Sequence, residues 1–456
     1  MKDGKSINSL RNKYSEFIYD KYRWKIERGN LTAEFSFLIP PNISFRPRIV
    51  LNNIPKERLS KIDREVVDNF VFNLGMVEVP SYWKTTCSAK IIVNAGTLDS
   101  YQTEWWSDLI EKGMGQFFFE NEIDFTKKDF FSIKSVHKSN IAEPVRTSGK
   151  DVLVPVGGGK DSVVSLELML RGKLNLGVFL LNPTQASLDI TKIAGVKNIL
   201  NAERVVDEKL LELNRKGYLN GHTPFSSVVA FLSVFSAYIF GYKDVALSNE
   251  RSSDESNTGY LKREINHQYS KTFDFENKFR QYGKHYLSNI EYFSFLRPLY
   301  ELQISKMFSK MKKYHNAIRS CNVAQKTNSW CGKCSKCLST YILLNPILDE
   351  EEMKGIFSDN FFYKESLSTI LESLILENKV KPFECVGTRQ ELKLALLFSI
   401  SKLREKNQGL PPLLEHAANL LGGVQYSEDD FSKFLSLWNK KNNLSITYEK
   451  ILRVGL

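Results

Sequence analysis

Between residues 151 and about 300, short apolar runs alternate with stretches of helix length. "DVLVPV" opens the series, and "LGVFLLN", "AERVVDE" and "KDVALSN" follow as further runs of strand length. An amphipathic stretch after residue 160 and an apolar one over 223–241 fall between them. Such alternation predicts an α/β domain over 149–300, with a parallel sheet covered by helices on both faces. Residues 1–148 follow a different rule. Strand-like runs ("LTAEFSFLI", "AKIIVNAG") mix with helical ones such as "SKIDREVVDNFVFNLG", which predicts an α+β domain. "AEPVRTSGK", residues 142–150, reads as the linker between the two. Residues 346–456 carry amphipathic segments of helix length ("QELKLALLFSISKLREK", "EDDFSKFLSLWNKK") and predict a helical C-terminal region. A cysteine-bearing segment, 301–345, lies between.

One segment has to be weighed as a membrane span. "GHTPFSSVVAFLSVFSAYIFGY", residues 221–242, carries no charge when His222 is neutral, and its length approaches a bilayer crossing. Four serines interrupt it and strand-like runs flank it closely, so the expectation is a buried helix packed on a sheet. The N-terminus lacks the apolar core of a signal peptide. A cytoplasmic protein without membrane contact is expected. The formal charge of +11 suits nucleic acid, an anionic membrane or multiply charged small substrates. No block of five or more like charges occurs, which argues against nucleic acid as a partner.

The turn "GGGKDS" contains the most specific local signal. Gly157, Gly158 and Gly159 end a strand, and Lys160, Asp161 and Ser162 open a helix. Glycine lets successive N–H groups face one concavity, and the helix N-terminus adds positive potential, so phosphate is the natural occupant. The pattern is not G-x-x-x-x-G-K-[ST], because Asp161 follows Lys160, nor G-x-G-x-x-G, because Ser162 holds the third glycine position. It resembles the S-G-G-x-D-S loop of the N-type ATP pyrophosphatases, the PP-loop superfamily, with Gly157 in place of the leading serine. That resemblance implies a doubly wound fold and cleavage of ATP to AMP and pyrophosphate. It further implies pyrophosphate on residues 157–162, Mg²⁺ near Asp161, and adenine against Leu181 and Asn182. A ligand-free glycine turn is the plain alternative.

"SCNVAQKTNSWCGKCSKC" spaces Cys321, Cys331, Cys334 and Cys337 as C-x9-C-x2-C-x2-C. Two overlapping C-x2-C steps can bring thiolates onto one ion, and a fourth sulfur closes the tetrahedron, which predicts a structural Zn²⁺. Disulfides are the alternative and would need an oxidising compartment.

Further motifs narrow the class. "NLGMVEVPSYWKTTCSAKIIVNAGTLD", "WWSDLIEKGMGQFFFENEID", "NGHTPFSS", "ALSNERSSDESN", "NHQYSKTFDFE" and "KPFECVGTRQE" join the glycine loop and the quartet. Together they resemble the UDP-N-acetylmuramoyl-L-alanyl-L-glutamate epimerase family of cell-wall synthesis, from about residue 70 to about 390. The resemblance implies ATP- and Mg²⁺-dependent inversion of the terminal glutamate of a UDP-muramoyl dipeptide through an acyl-adenylate. It makes Ser248, Asn249, Glu250 and Arg251 site residues, with Glu250 or Asp254 facing Mg²⁺ and Asn257 nearby. Lys160 is expected to counter phosphate charge, while Asp161 and Ser162 could equally cap their helix. His222 and His267 are candidate bases or substrate contacts. Tyr82 and Lys84 are candidate substrate contacts, and Cys87 and Cys385 candidate proton carriers. Other adenylating PP-loop enzymes, which form nitriles or amides or modify tRNA, stand as alternatives. Oligomeric state is not readable.

Overall fold

Leu31, Ala33, Phe35, Phe37 and Ile39 alternate with residues that are polar up to Ser36, and that period of two makes residues 30–39 a strand with one fully buried face. This strand lies near the middle of one large sheet. The computed structural model describes residues 6–136, 143–147, 149, 151–422 and 427–456. Its strands in chain order are β1 (Glu16–Glu27), β2 (Asn30–Ile39), β3 (Ile43–Phe45), β4 (Arg48–Leu51), β5 (Lys90–Val93), β6 (Ser132–Ser135) and β7 (Val152–Pro155). There follow β8 (Leu176–Leu181), β9 (Ile199–Val205), β10 (Asp244–Leu247), β11 (Thr258–Tyr260), β12 (Arg263–Ile265) and β13 (Glu291–Ser294). The 11-stranded sheet runs β13-β10-β7-β8-β9-β4-β2-β1-β5-β6, with β3 on β2, while β11 and β12 form a separate pair.

The architecture is mixed α/β with a helical C-terminal region. Strands β13, β10, β7, β8 and β9 are mutually parallel, as the alternation over 149–300 predicts. The sheet does not end there. Strand β4 pairs antiparallel with β9, Arg48 opposite Val205 and Leu51 opposite Ala202, and carries the sheet into the N-terminal half. The expected separate parallel sheet is therefore one part of a larger mixed sheet. The predicted linker, 142–150, lies partly outside the described residues. Within it Val145 bridges to Ser288, and Thr147 donates to Asn289 at 2.7 Å.

The helix Arg64–Trp83 starts four residues inside the predicted stretch. Asp63 caps it by accepting from the Glu65 amide at 2.9 Å, and the helix runs past the predicted stretch through Pro80. The apolar segment forms a 16-residue helix, Phe225–Phe240, stopped by Gly241 in the left-handed region. Phe70 packs on it, with ring centroids 5.2 Å from Phe235 and 5.5 Å from Tyr238. Among the described residues no helix is long and apolar enough to cross a membrane. C-terminal helices, the longest of them Arg389–Glu405, enclose a second core around Leu338, Leu371 and Leu392. The run "AERVVDE" is a strand only as far as Val205, because Asp207 caps the helix Glu208–Arg215.

The chain lays β7, β8 and β9 down in one direction, then returns to place β10 and β13 on the other side of β7. The strand order reverses between β7 and β10. Crevices at such switch points are where open α/β sheets bind ligands.

Candidate active site

Strand β7 stops at Pro155, and the glycine turn carries the chain into the helix Lys160–Arg171. Gly159 occupies the N-cap position, and no side chain caps this helix. Its first amides therefore remain available to an anion. A Cβ at Gly157 would meet nothing within 4 Å, so the turn is open there. Gly158 has φ +96°, a conformation that favours glycine, and a Cβ on it would come within 3.0 Å of Ala186. The cysteine segment closes over the turn from behind. The Arg319 amide donates to the Gly158 carbonyl at 2.9 Å, and Ser320 Oγ lies 3.1 Å from a Cβ built on Gly159.

A cleft of about 530 Å³ opens in front of this turn, beyond the ends of β7 and β10. Of the residues expected from the sequence, Gly157, Gly159, Lys160, Asp161, Ser162 and His222 line it. So do Ser248, Asn249, Glu250, His267, Cys321 and Cys385. Two buried polar atoms of residues on its walls, Ser248 Oγ and Gln268 Oε1, have no hydrogen-bond partner among the described residues. Buried polar groups are nearly always satisfied, so these two point to a polar ligand.

The electrostatics are those of a crowded, largely buried site. Lys160 Nζ donates to Asp161 at 2.6 Å and to Glu301 at 3.0 Å. Burial alone would lower its pKa, but the two carboxylates outweigh burial and hold it above the ordinary lysine value. Burial pushes the Glu250 carboxyl up to about 8. Lys271 opposes that rise, and Glu301 and Asp161 add to it. The fully buried Arg297 pins the Glu250 turn by donating to the Glu250 carbonyl at 2.8 Å and to Ser253 Oγ at 3.1 Å.

The His222 and His267 rings pack together, tilted by 46° with centroids 4.2 Å apart. Burial pushes His222 down to about 3, helped by His267 and Lys84, and His267 down to about 4, helped by Lys271 and Lys336. Both are neutral at pH 7. Gln116 Nε2 donates to Glu120 at 2.7 Å, which turns Gln116 Oε1 toward His267 Nδ1 at 2.6 Å. An amide oxygen can only accept, so Nδ1 carries the proton and Nε2 keeps a free lone pair.

Other expected residues fall outside the lining. Gly158 contributes its carbonyl to Arg319. Asn182 uses its amide on the Arg204 backbone, donating at 3.0 Å and accepting at 2.7 Å, and Leu181 precedes it. The Arg251 guanidinium lies over the Tyr300 ring, 4.4 Å from its centroid. Asp254 accepts from the Phe273 amide at 2.8 Å and borders a separate cavity. Asn257 accepts from the His267 amide at 2.8 Å and donates to the Pro382 carbonyl at 2.7 Å, tying two walls of the cleft together. Tyr82 is buried against Phe37 and Phe45. Lys84 Nζ donates to the Gly221 carbonyl at 2.6 Å, and burial lowers its pKa to about 8. Cys87 is buried in the N-terminal core, where burial pushes its thiol up to about 12.

Sequence reasoning missed Glu301, Gln268, Lys271 and Lys336. The motif "NHQYSKTFDFE" contains two of them, yet nothing local marks them as site residues.

The quartet gathers as its spacing predicts. The four sulfur atoms lie within 4.8 Å of one another, with Cys331 and Cys337 Sγ 3.8 Å apart and Cys334 and Cys337 Sγ 3.4 Å apart. Tetrahedral Zn–S bonds of about 2.3 Å put sulfurs about 3.8 Å apart, so this donor set fits a closed tetrahedral ion. The Ala324 and Lys333 amides donate to Cys321 and Cys331 sulfur, as suits thiolates.

The chain matches the MurL N-terminal domain over residues 8–295 and the MurL C-terminal domain over 317–420. A UDP-N-acetyl-alpha-D-muramoyl-L-alanyl-L-glutamate epimerase of Xanthomonas oryzae pv. oryzae is 29% identical over 344 residues, 74% of this chain and 76% of its own. Proteins of the same name from Micromonospora sp. and Salinispora tropica are 28% and 27% identical. Those alignments cover 86% and 83% of this chain, and 87% and 84% of theirs. No solved structure matches. On the strength of a model match that takes in most of its length, the chain belongs to the MurL family.

Proposed function

We propose that this protein inverts the terminal L-glutamate of UDP-N-acetylmuramoyl-L-alanyl-L-glutamate to D-glutamate, with ATP as co-substrate, in the synthesis of peptidoglycan precursor. The observation that carries the reading is one cleft with two kinds of wall. An uncapped glycine turn suited to phosphate faces groups suited to moving protons. The names of the relatives agree with it.

The chemistry explains why both walls are needed. A carbanion next to a carboxylate would carry two adjacent negative charges. Converting the carboxylate to an acyl-adenylate removes one charge and lets the carbonyl oxygen take up the other. Amides 160–162 and Lys160 hold the phosphates, and Lys160 Nζ exchanges its carboxylate partners for phosphate oxygens. Asp161 and Glu250 are the carboxylates that would hold Mg²⁺. Bound there, Mg²⁺ would neutralise phosphate charge. Ser248 Oγ and Gln268 Oε1 are free to bind the substrate. A base on the far wall takes the α-proton, protonation from the opposite face inverts the centre, and hydrolysis releases AMP and product. Cys321, Cys331, Cys334 and Cys337 hold a structural Zn²⁺ that braces the glycine turn through Arg319 and Ser320. An ATP-using enzyme of this kind would work in the cytoplasm, on two small-molecule ligands and without nucleic acid or membrane.

A different adenylating enzyme would need the first wall only. Incubation with ATP, Mg²⁺ and the L,L-dipeptide substrate, followed by chiral analysis of glutamate, separates the two. D-glutamate is expected, and an amide or nitrile product, or unchanged L-glutamate, would refute the reading.

A further inference from the structure

Two cysteines lie outside the quartet, and the fold treats them in opposite ways. Cys87 is sealed in the N-terminal core. Cys385 is half-buried in the wall of the cleft that holds the glycine turn. Lys271 Nζ lies 3.0 Å from Cys385 Sγ. Among the described residues Lys271 forms no ion pair with a carboxylate; the Glu250 and Asp161 carboxylates act on it from farther away, and sulfur is the nearest partner of this ammonium. A half-buried ammonium gains from a close counter-charge, and a thiolate supplies it.

The segment carrying Cys385 is fixed from several directions. Asn257 holds the Pro382 carbonyl, and Lys381 pairs with Glu255. The Glu384 carboxylate accepts from Ser335 Oγ at 2.6 Å and from the Lys336 amide at 2.8 Å. A packing cysteine needs none of this.

We propose that Cys385, held against Lys271, exchanges the glutamate α-proton on one face of the substrate, an inference that rests on the epimerase reading above. In the forward step the thiolate sulfur takes the α-hydrogen. The C–H bond breaks, an S–H bond forms, and the C–H electron pair moves into the bond to the activated carbonyl, leaving charge on its oxygen. Water then gives a proton to the opposite face of the α-carbon, and the thiol proton passes to the hydroxide so formed, so the cycle consumes no net proton. Lys271 is a positioning residue that keeps the sulfur charged at rest. Burial raises the Cys385 pKa, but Lys271 and Lys336 together more than offset it, and the thiol lies below its ordinary value.

The test follows two signals from one reaction in D₂O: AMP release, and deuterium at the glutamate α-carbon of recovered substrate and product. In Cys385→Ser, deuterium uptake should fall at least about 100-fold while AMP still forms. Lys271→Met should lower deuterium uptake, and Lys271→Arg should restore part of it. If Cys385→Ser takes up deuterium at the parent rate, the cysteine is a packing residue and the proposal is wrong, with the epimerase reading untouched. If the parent enzyme makes no D-glutamate, the epimerase reading itself fails. Should the serine variant not fold, the parent protein gives the answer by alkylation. Iodoacetamide should label the Cys385 peptide at pH 7, substrate with ATP should protect it, and the labelled enzyme should lose deuterium uptake. An unlabelled Cys385, or labelled enzyme with undiminished uptake, contradicts the proposal.

Discussion

The two walls of the cleft are built by different rules. The wall proposed for phosphate is local: six consecutive residues, 157–162, supply the open turn, the uncapped amides and the lysine. The far wall is assembled from a distance. Cys385 meets Lys271 across 114 residues of chain, and His267 meets Gln116 across 151. Binding an anion needs backbone N–H groups in a row, and a short stretch can provide them. Moving a proton needs side chains whose pKa values are pushed by burial and by one another, and only tertiary packing does that.

The largest effect to be expected on the local wall comes from Gly158→Ala. A Cβ there meets Ala186 at 3.0 Å and forces a left-handed φ on alanine, so the turn must move. AMP formation should fall by about 100-fold or more, the scale of losing one oriented donor. A fall of less than about threefold would mean that the turn is not the phosphate site.

Loss of the metal should come next. Cys334→Ser should take the zinc content from about one per chain to near zero and lower the thermal midpoint. Because Arg319 and Ser320 brace the turn, AMP formation should drop as well. A metal-free parent protein of full stability would overturn the zinc assignment, and an unaffected AMP rate would remove the link between the two segments.

Smaller still is the pH effect of the histidine pair. His267 has a folded pKa of about 4, below the unfolded value of about 6.5, so below pH 6.5 the unfolded chain binds the extra proton and stability falls. The loss builds from about pH 6.5 down to about 4 and is absent above that window. His267→Gln should recover about 1–2 kcal/mol of the stability lost between pH 7 and pH 5, read by urea unfolding. An unchanged pH profile would mean that burial does not lower the His267 pKa.

The smallest effect is reserved for Arg251. It lies over Tyr300 outside the cleft, so Arg251→Ala should lower stability by about 1 kcal/mol and change the substrate KM by less than about twofold. A tenfold rise in KM would return Arg251 to the substrate.

These differences follow how much of the protein was legible in its sequence. The parallel strands were readable because β7, β8 and β10 are continuous apolar runs. The junction of the sheet was not, since β4 has four residues and finds β9 some 150 residues later. Strand β1 escaped notice because Asp20, Lys21, Arg23, Lys25 and Glu27 interrupt its apolar positions. Strand β13, four residues led by a glutamate, was equally faint. In the site, the glycine turn and the quartet carry fixed spacings. Glu301, Gln268 and Lys271 carry none and become site residues only because the fold turns them toward the same space. Cys87 and Cys385 look alike in sequence, and the depth at which each is packed separates them.

The account stands on the claim that both walls serve one reaction. Its most direct test is to measure AMP, pyrophosphate and D-glutamate together in a single time course with ATP, Mg²⁺ and UDP-N-acetylmuramoyl-L-alanyl-L-glutamate. The expected result is equal amounts of AMP and pyrophosphate, with D-glutamate appearing only when ATP is consumed. ADP and phosphate as products, or D-glutamate formed at full rate without ATP, would contradict it.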